Sequence, residues 1–300
     1  MRKDAIKYKV FAFFCGAFMV KETDTKSDIS ITARYTAYIW HKYGLDGGAP
    51  LTFASRFWYV VLSPVVFCFK KLFDVDLDAF LVQRHIILDA LIEEKLSKWE
   101  NATYIEIGCG FSQRGLLLAE KFADRKLHCY DLDLAKVIEK KRRLAPSRAN
   151  YHLNSIDILE RSGKESVKDF LRKMALERKG PLILVTEGLM NYFTLDELTL
   201  FWKDLVLSGS SKKNYYLTDL GIFKESHPRI HRVLLFVKTL GFIVGRRLHL
   251  HFRGSREIEQ YFKKVGFLEV RVEHPHFWQE ELPAMAKQPH PVVRIVSASF

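Results

Sequence analysis

From Leu77 to Trp99 the chain places apolar residues three and four apart with charges between them, and "LDAFLVQRHIILDALIEEKLSKW" reads as a helix. Spacing of this kind runs through residues 1 to about 100, which are expected to be helical. From Thr103 the pattern changes to short β-branched runs that alternate with amphipathic segments. The runs "TYIEIG", "KLHCYDLD", "NYHLNS", "PLILVTEG", "NYYLTDLG", "FLEVRVEH" and "VVRIVSAS" are the predicted strands. Helices are predicted near 112–122, 134–143, 165–177 and 194–206. Repeated strand–helix units require a parallel sheet covered on both faces. Two closing strands with no long helix between them predict a terminal antiparallel pair. The expected fold class is α/β: a Rossmann-like, mostly parallel seven-stranded sheet under a helical N-terminal lid.

About 45 residues separate "NYYLTDLG" from "FLEVRVEH", more than one crossover usually takes. The apolar, basic stretch "SHPRIHRVLLFVKTLGFIVGRRLHLHFRGS" lies there and is a candidate insertion over about 222–256. The predicted organisation is a lid over 1–100 and a core over 101–300 that carries this insertion.

The segment "YIEIGCGFSQRG", residues 104–115, is a strand, a glycine turn and a helix start. It holds Gly108 and Gly110, but Gln113 stands where a dinucleotide fingerprint has its third glycine. That weakens a nicotinamide dinucleotide reading, and no phosphate-loop motif is present. Acids recur near strand ends: Glu106, Asp131 and Asp133, Asp157, and Glu187. Ligands of open α/β sheets bind outside the carboxyl ends of the strands, so these acids converge on one crevice. An acidic crevice repels phosphates and suits a nucleoside that bears a cation. S-adenosylmethionine, with its adenosine, sulfonium, ammonium and single carboxylate, is such a ligand. The turn amides and the following helix N-terminus are expected to face its carboxylate.

The segments "SITARYTAYIW" (30–40), "LVQRHIILDALI" (81–92), "YIEIGCGFSQRG", "YDLDLAKVIEKKRRL" (130–144) and "VTEGLMNYF" (185–193) occur in the order of a known family. On them the chain resembles the class I S-adenosylmethionine-dependent methyltransferases, and within these the leucine carboxyl methyltransferase family with its bacterial polyketide O-methyltransferases. The resemblance covers roughly residues 27 to 200; the last third matches only in outline. It implies that Arg84 pairs with the cofactor carboxylate and that Gly108 forms the turn. It also implies that Asp131 binds the ribose, that Ile156 and Asp157 contact the adenine, and that Glu187 lies beside the methionine portion. Glu106 and Gly110 complete the expected cofactor set. His85, after Arg84, and Cys109, in the turn, depart from the family pattern and leave the acceptor side open.

Composition narrows the partners. The 300 residues are 48% hydrophobic and 27% charged, enough for a sizeable core. The four cysteines, Cys15, Cys68, Cys109 and Cys129, form no CxxC or zinc spacing, which favours a reduced, cytoplasmic setting. Neither His249 with His251 nor His274 with His276 has an evident third ligand, so no metal is expected. Forty-seven basic against 35 acidic residues give a net charge of +12 and favour an anionic partner. No nucleic-acid-binding motif is present, so nucleic acid is not expected. The basic start and short apolar run of "MRKDAIKYKVFAFFCGAFMV" lack a cleavage site, and "FWYVVLSPVVFCF" is broken by Pro64. Both read as buried helical segments; the alternative is an interfacial contact at the inner membrane surface.

Methyl transfer needs alignment more than acid–base chemistry. A carboxylate acceptor is already ionised, and Arg34, Arg246, Arg247 or Arg253 could hold it. Tyr192 is a further candidate acceptor contact. A phenol or alcohol wants a base, for which His85, Tyr35 and Tyr192 are candidates without a selection among them. The expected activity is O-methyl transfer to a carboxylate or hydroxyl of an acidic or polyketide-like acceptor. The alternatives are a non-catalytic or membrane-surface S-adenosylmethionine-binding protein, and a Rossmann oxidoreductase. Oligomeric state stays open.

Overall fold

A computed structural model describes residues 31–177, 180–209, 213–225, 228, 230–243, 245–288 and 290–300, without the side chains of residues 72 and 73. The apolar run within residues 1–30 lies outside the described residues. Three helices come first: α1 (Ile31–Lys42), α2 (Phe53–Phe73) and α3 (Leu77–Leu96). Strands and helices then alternate: β1 (Asn101–Ile107), α4 (Arg114–Lys121), β2 (Lys126–Asp133), α5 (Ala135–Arg142), β3 (Tyr151–Ser155) and α6 (Val167–Glu177). Next come β4 (Leu182–Thr186), α7 (Leu195–Leu207), β5 (Asn214–Gly221), α8 (Ile230–Ile243), α9 (Ser255–Val265), β6 (Val270–Glu273) and β7 (Val293–Ser299).

The strands form one sheet in the order β3-β2-β1-β4-β5-β7-β6. β1 to β5 are parallel, and β7 runs antiparallel to both β5 and β6. All seven predicted strands are present, and so is the terminal antiparallel pair. The order reverses between β1 and β4, which opens the crevice at the carboxyl ends of those strands.

Strands buried on both faces read as continuous apolar runs, and β4, "LILVT", is buried at every position. Its side chains alternate: Ile183 and Val185 join the core under α3 and α4, whereas Leu182 and Leu184 join the core under α6, α7 and α9. α3 is packed between other elements over most of its length, with Val82, Ile87, Leu88 and Ile92 fully buried. Each such side chain contributes about 1.5–3 kcal/mol. Helix boundaries follow local chemistry. Asp76 caps α3 by accepting from Ala79 N at 3.2 Å. Thr194 and Glu197 form a capping box that starts α7 just beyond the β4 turn.

The crossover from β5 to β6 contains two helices. α8 and the segment after it cover the crevice. α9 is the ordinary crossover helix, with Ile258 and Phe262 buried.

Candidate functional site

One cavity of about 730 Å³ lies at the strand carboxyl ends, within the usual range for ligand sites. α1 roofs it with Thr32, Tyr35, Thr36 and Trp40; the glycine turn, Asp133, Ile156, Asp157 and Glu187 form its polar floor. Leu62 of α2, Phe80 and Leu81 of α3, and Val233, Phe236 and Leu240 of α8 form an apolar wing.

Gly108 and Gly110 both have positive φ, +70° and +50°, which glycine adopts without steric cost. A Cβ on Gly108 would come 2.6 Å from Leu189 Cδ2. The turn amides do not face the cavity as expected. Gly108 N and Cys109 N donate to Leu132 O at 2.8 and 3.2 Å, and Gly110 N donates to Asp133 Oδ2 at 2.7 Å. The turn is stitched to β2, and what it presents is the Asp133 carboxylate. Leu134 N donates to the other oxygen at 2.7 Å. Burial raises the Asp133 pKa, while these two backbone donors pull it down.

Two of the predicted cofactor acids lie elsewhere. Glu106 and Asp131 sit side by side in register, two residues short of the rim, and neither lines the cavity. The turn and α4 cover that face: a Cβ on Gly115 would stand 2.3 Å from Asp131 Oδ1. Asp131 accepts from Tyr151 Oη at 2.5 Å and pairs with the buried Lys141 Nζ at 2.8 Å. Lys141 also donates to Ser112 O, so this ion pair anchors the turn from behind. Glu106 accepts from Tyr104, Ser112 and Arg114. Asp131, expected as the ribose ligand, thus lies outside the cavity and braces the turn, and Asp133 is the carboxylate at the rim. Glu106 is likewise a support of the turn.

Arg84, Glu187, Ile156 and Asp157 do line the cavity. Arg84 Nε donates to Glu187 Oε1 at 3.0 Å and Nη1 to Asp219 Oδ2 at 3.2 Å. Gly188 makes room for this: a Cβ there would meet Arg84 Nη2 at 2.6 Å. The other Glu187 oxygen lies 2.6 Å from Arg114 Nη2 and 2.9 Å from His85 Nδ1. Burial opposes the charge on Glu187, but His85, Arg114 and Arg84 outweigh it and hold the carboxyl well below its ordinary value of 4.5. Its contribution to stability is thus complete above 4.5 and is lost as pH falls through the depressed folded value. Glu187→Gln is expected to flatten the fall of unfolding free energy between pH 4.5 and acid, as read by urea unfolding at stepped pH.

Sequence reasoning missed Arg114, Asp219 and the choice of Asp133. Arg114, at the first residue of α4, turns inward and is buried. It pairs with Asp89 of α3, with Glu106 at 2.9 Å and with Glu187 at 2.6 Å. Asp219, near the end of β5, accepts from Gly188 N at 2.6 Å and lines the cavity. The signal for Asp219 was the "TDLG" that closes β5 just as "DLD" closes β2. Arg114 carried no signal beyond its place after the turn.

The candidate bases are accounted for. His85 is sealed behind Glu187, with Trp40 over its ring at 4.5 Å. Tyr35 Oη donates to Asp78 Oδ1 at 2.6 Å, and burial, then Asp78, pushes its pKa far up. Neither is placed to accept a proton from a ligand. Tyr192 lines the cavity and shares a 2.6 Å hydrogen bond with Thr32 Oγ1. Arg246 lines the cavity; Arg34, Arg247 and Arg253 do not. The lining carboxylates are Asp133, Asp157, Glu160, Glu187, Glu197 and Asp219, against the two guanidiniums of Arg84 and Arg246.

No protein-family model and no curated protein sequence matches the chain. Solved structures do. A "putative methyltransferase" from Thermobifida fusca is 13% identical over 92% of this chain and 95% of its own, with a TM-score of 0.59. A duf574 family protein from Streptomyces avermitilis is 13% identical over 92% of this chain and 98% of its own, also with a TM-score of 0.59. The chain spans 46% of the length of LepI in its complex with SAM, at 14% identity over 69% of this chain and a TM-score of 0.44. The first two share the fold described above over nearly the whole of both chains.

Proposed function

We propose that this chain is an S-adenosylmethionine-dependent O-methyltransferase of the leucine carboxyl methyltransferase type. The observation that carries the reading is the acidic floor: Asp133, Asp157, Glu187 and Asp219 meet in one cavity at the strand carboxyl ends, with Arg84 among them. That donor set fits a cationic nucleoside and disfavours a dinucleotide, whose pyrophosphate would meet carboxylates rather than free turn amides.

The residues present fit the parts of the cofactor. Asp133, at the end of β2, is placed to accept from ribose hydroxyls. Ile156 offers an apolar face to the adenine, and Asp157 an acceptor to its amino group. Glu187 and Asp219 suit the ammonium, and Arg84 the carboxylate, which a guanidinium can grip with two parallel bonds. When bound, the sulfonium supplies the methyl electrophile. The chain's own part is to orient the two reactants and exclude water.

The acceptor side supports transfer to oxygen that is already ionised. His85 and Tyr35 are occupied, and Arg246 lines the same cavity as Leu240, Leu248 and Leu250. An acidic acceptor with an apolar body, such as a polyketide-like carboxylate, matches that combination and needs no general base.

Isothermal titration with S-adenosylmethionine, S-adenosylhomocysteine and NADH is the test. Binding of both sulfur nucleosides with none of NADH is expected. Binding of NADH alone, or of none of the three, overturns the reading.

A further inference from the structure

α2 has two unlike faces. The inner one packs against the molecule: Leu62 and Phe69 are buried, Phe69 meets Phe236 of α8 at 4.9 Å, and Tyr59 stacks on Tyr38 at 3.9 Å. The outer one exposes Phe53, Phe57, Val60 and Phe67 to 83%, 49%, 67% and 60%, at four- and three-residue steps along a single stripe. Pro64 continues the stripe without adding a polar group. Among the described residues, α2 holds the one segment, Phe53–Lys71, long and apolar enough to cross a bilayer. At 1.5 Å per residue its 21 residues would be about 31 Å long, matching a hydrocarbon core. The buried face argues against crossing. Leu62 walls the cavity, and a helix that left to span a membrane would open it.

The stripe has basic flanks. Arg56 lies beside Phe57, and Lys70 and Lys71 close the last turn, all exposed. Lys71 Nζ sits 5.9 Å from the Phe67 ring, and Lys70 pairs with Asp76 at 2.6 Å. α8, which packs on α2 through Phe236, exposes Leu234 and Phe242 to 45% and 56%, with the exposed Lys238 between them. An apolar stripe bordered by cations matches one surface chemically: acyl chains beneath anionic headgroups. The chain's net charge of +12 adds long-range attraction of the same sign.

We propose that α2, assisted by the outer face of α8, docks this protein on anionic lipid bilayers, lying in the interface with Phe53, Phe57, Val60 and Phe67 turned to the acyl chains. The inference is independent of the methyltransferase reading, because no cavity residue takes part in the contact.

The test is co-sedimentation of the full chain with vesicles of phosphatidylcholine alone or with phosphatidylglycerol added. Binding only to the anionic vesicles, weakened by salt, is expected. Arg56→Gln and Lys71→Gln should each weaken it about five-fold. Phe57→Glu with Val60→Glu should abolish it while thermal unfolding stays unchanged. As a second measurement, Val60→Trp should gain fluorescence quenching by brominated phospholipid beyond that of the native tryptophans. Equal binding by the doubly acidic variant overturns the proposal, as does the absence of added quenching at Trp introduced for Val60. A dimer in lipid-free solution that the acidic variant dissolves would also overturn it, by showing that a second copy covers the stripe.

Discussion

Asp133→Asn is expected to weaken S-adenosylmethionine binding about 100-fold, and Asp131→Asn to act mainly on stability. The two acids lie on one strand face, but only Asp133 lines the cavity. On the proposed reading, losing the charge at Asp133 would remove one or two charge-assisted hydrogen bonds to the ribose, worth about 1.5–3 kcal/mol each. About 3 kcal/mol corresponds to that change in affinity. The asparagine keeps an acceptor for Gly110 N or Leu134 N, so the turn stays in place. At Asp131 the same change strips the partner from Lys141, whose ammonium is fully buried. Breaking a buried pair from one side costs about 3–5 kcal/mol. Calorimetry and thermal melting on both variants separate these outcomes. If Asp131→Asn removed binding at unchanged stability and Asp133→Asn did not, Asp131 would return as the ribose ligand.

Arg114→Met has the largest expected effect on stability. Arg114 meets Glu106 of β1, Asp89 of α3 and Glu187 in the turn after β4, and its side chain is buried. Removing it leaves Glu106 and Glu187 facing each other in the interior. A loss of about 3–5 kcal/mol, seen as a fall of roughly 10 °C in the melting temperature, is expected. Arg114→Lys should recover little, because one ammonium cannot direct its donors to three acceptors on different sides. A lysine variant as stable as the native chain would show that charge alone, and not the guanidinium geometry, holds the cluster.

The strands were legible in the sequence because each is a bounded run of β-branched and aromatic residues, and the four predicted helices match to within about two residues. α9 was not, although Ile258, Tyr261, Phe262 and Val265 carry helical spacing. It begins at the end of the basic stretch at 222–256, and its short apolar face is outweighed by Arg256, Lys263 and Lys264. The site was legible as a set of acids near strand ends but not in its depth. Period-two alternation puts Glu106, Asp131 and Asp133 on their strands without telling which lies under the turn. That depends on Gly115, whose missing side chain lets α4 press down on Asp131. Arg114 shows the converse: a charged residue at a helix start reads as exposed until the acids from β1, the turn after β4 and α3 are seen to close around it.

The contact between the Trp40 and His85 rings gives the molecule an optical handle. Trp40 belongs to the roof, His85 to α3, and His85 Nδ1 touches the Glu187 carboxylate on the cavity floor. The brightness of Trp40 is therefore expected to follow its distance from the His85 ring, and with it the position of the roof helix over the floor. In a variant keeping only that tryptophan, emission intensity would follow roof and floor together in solution, without a label.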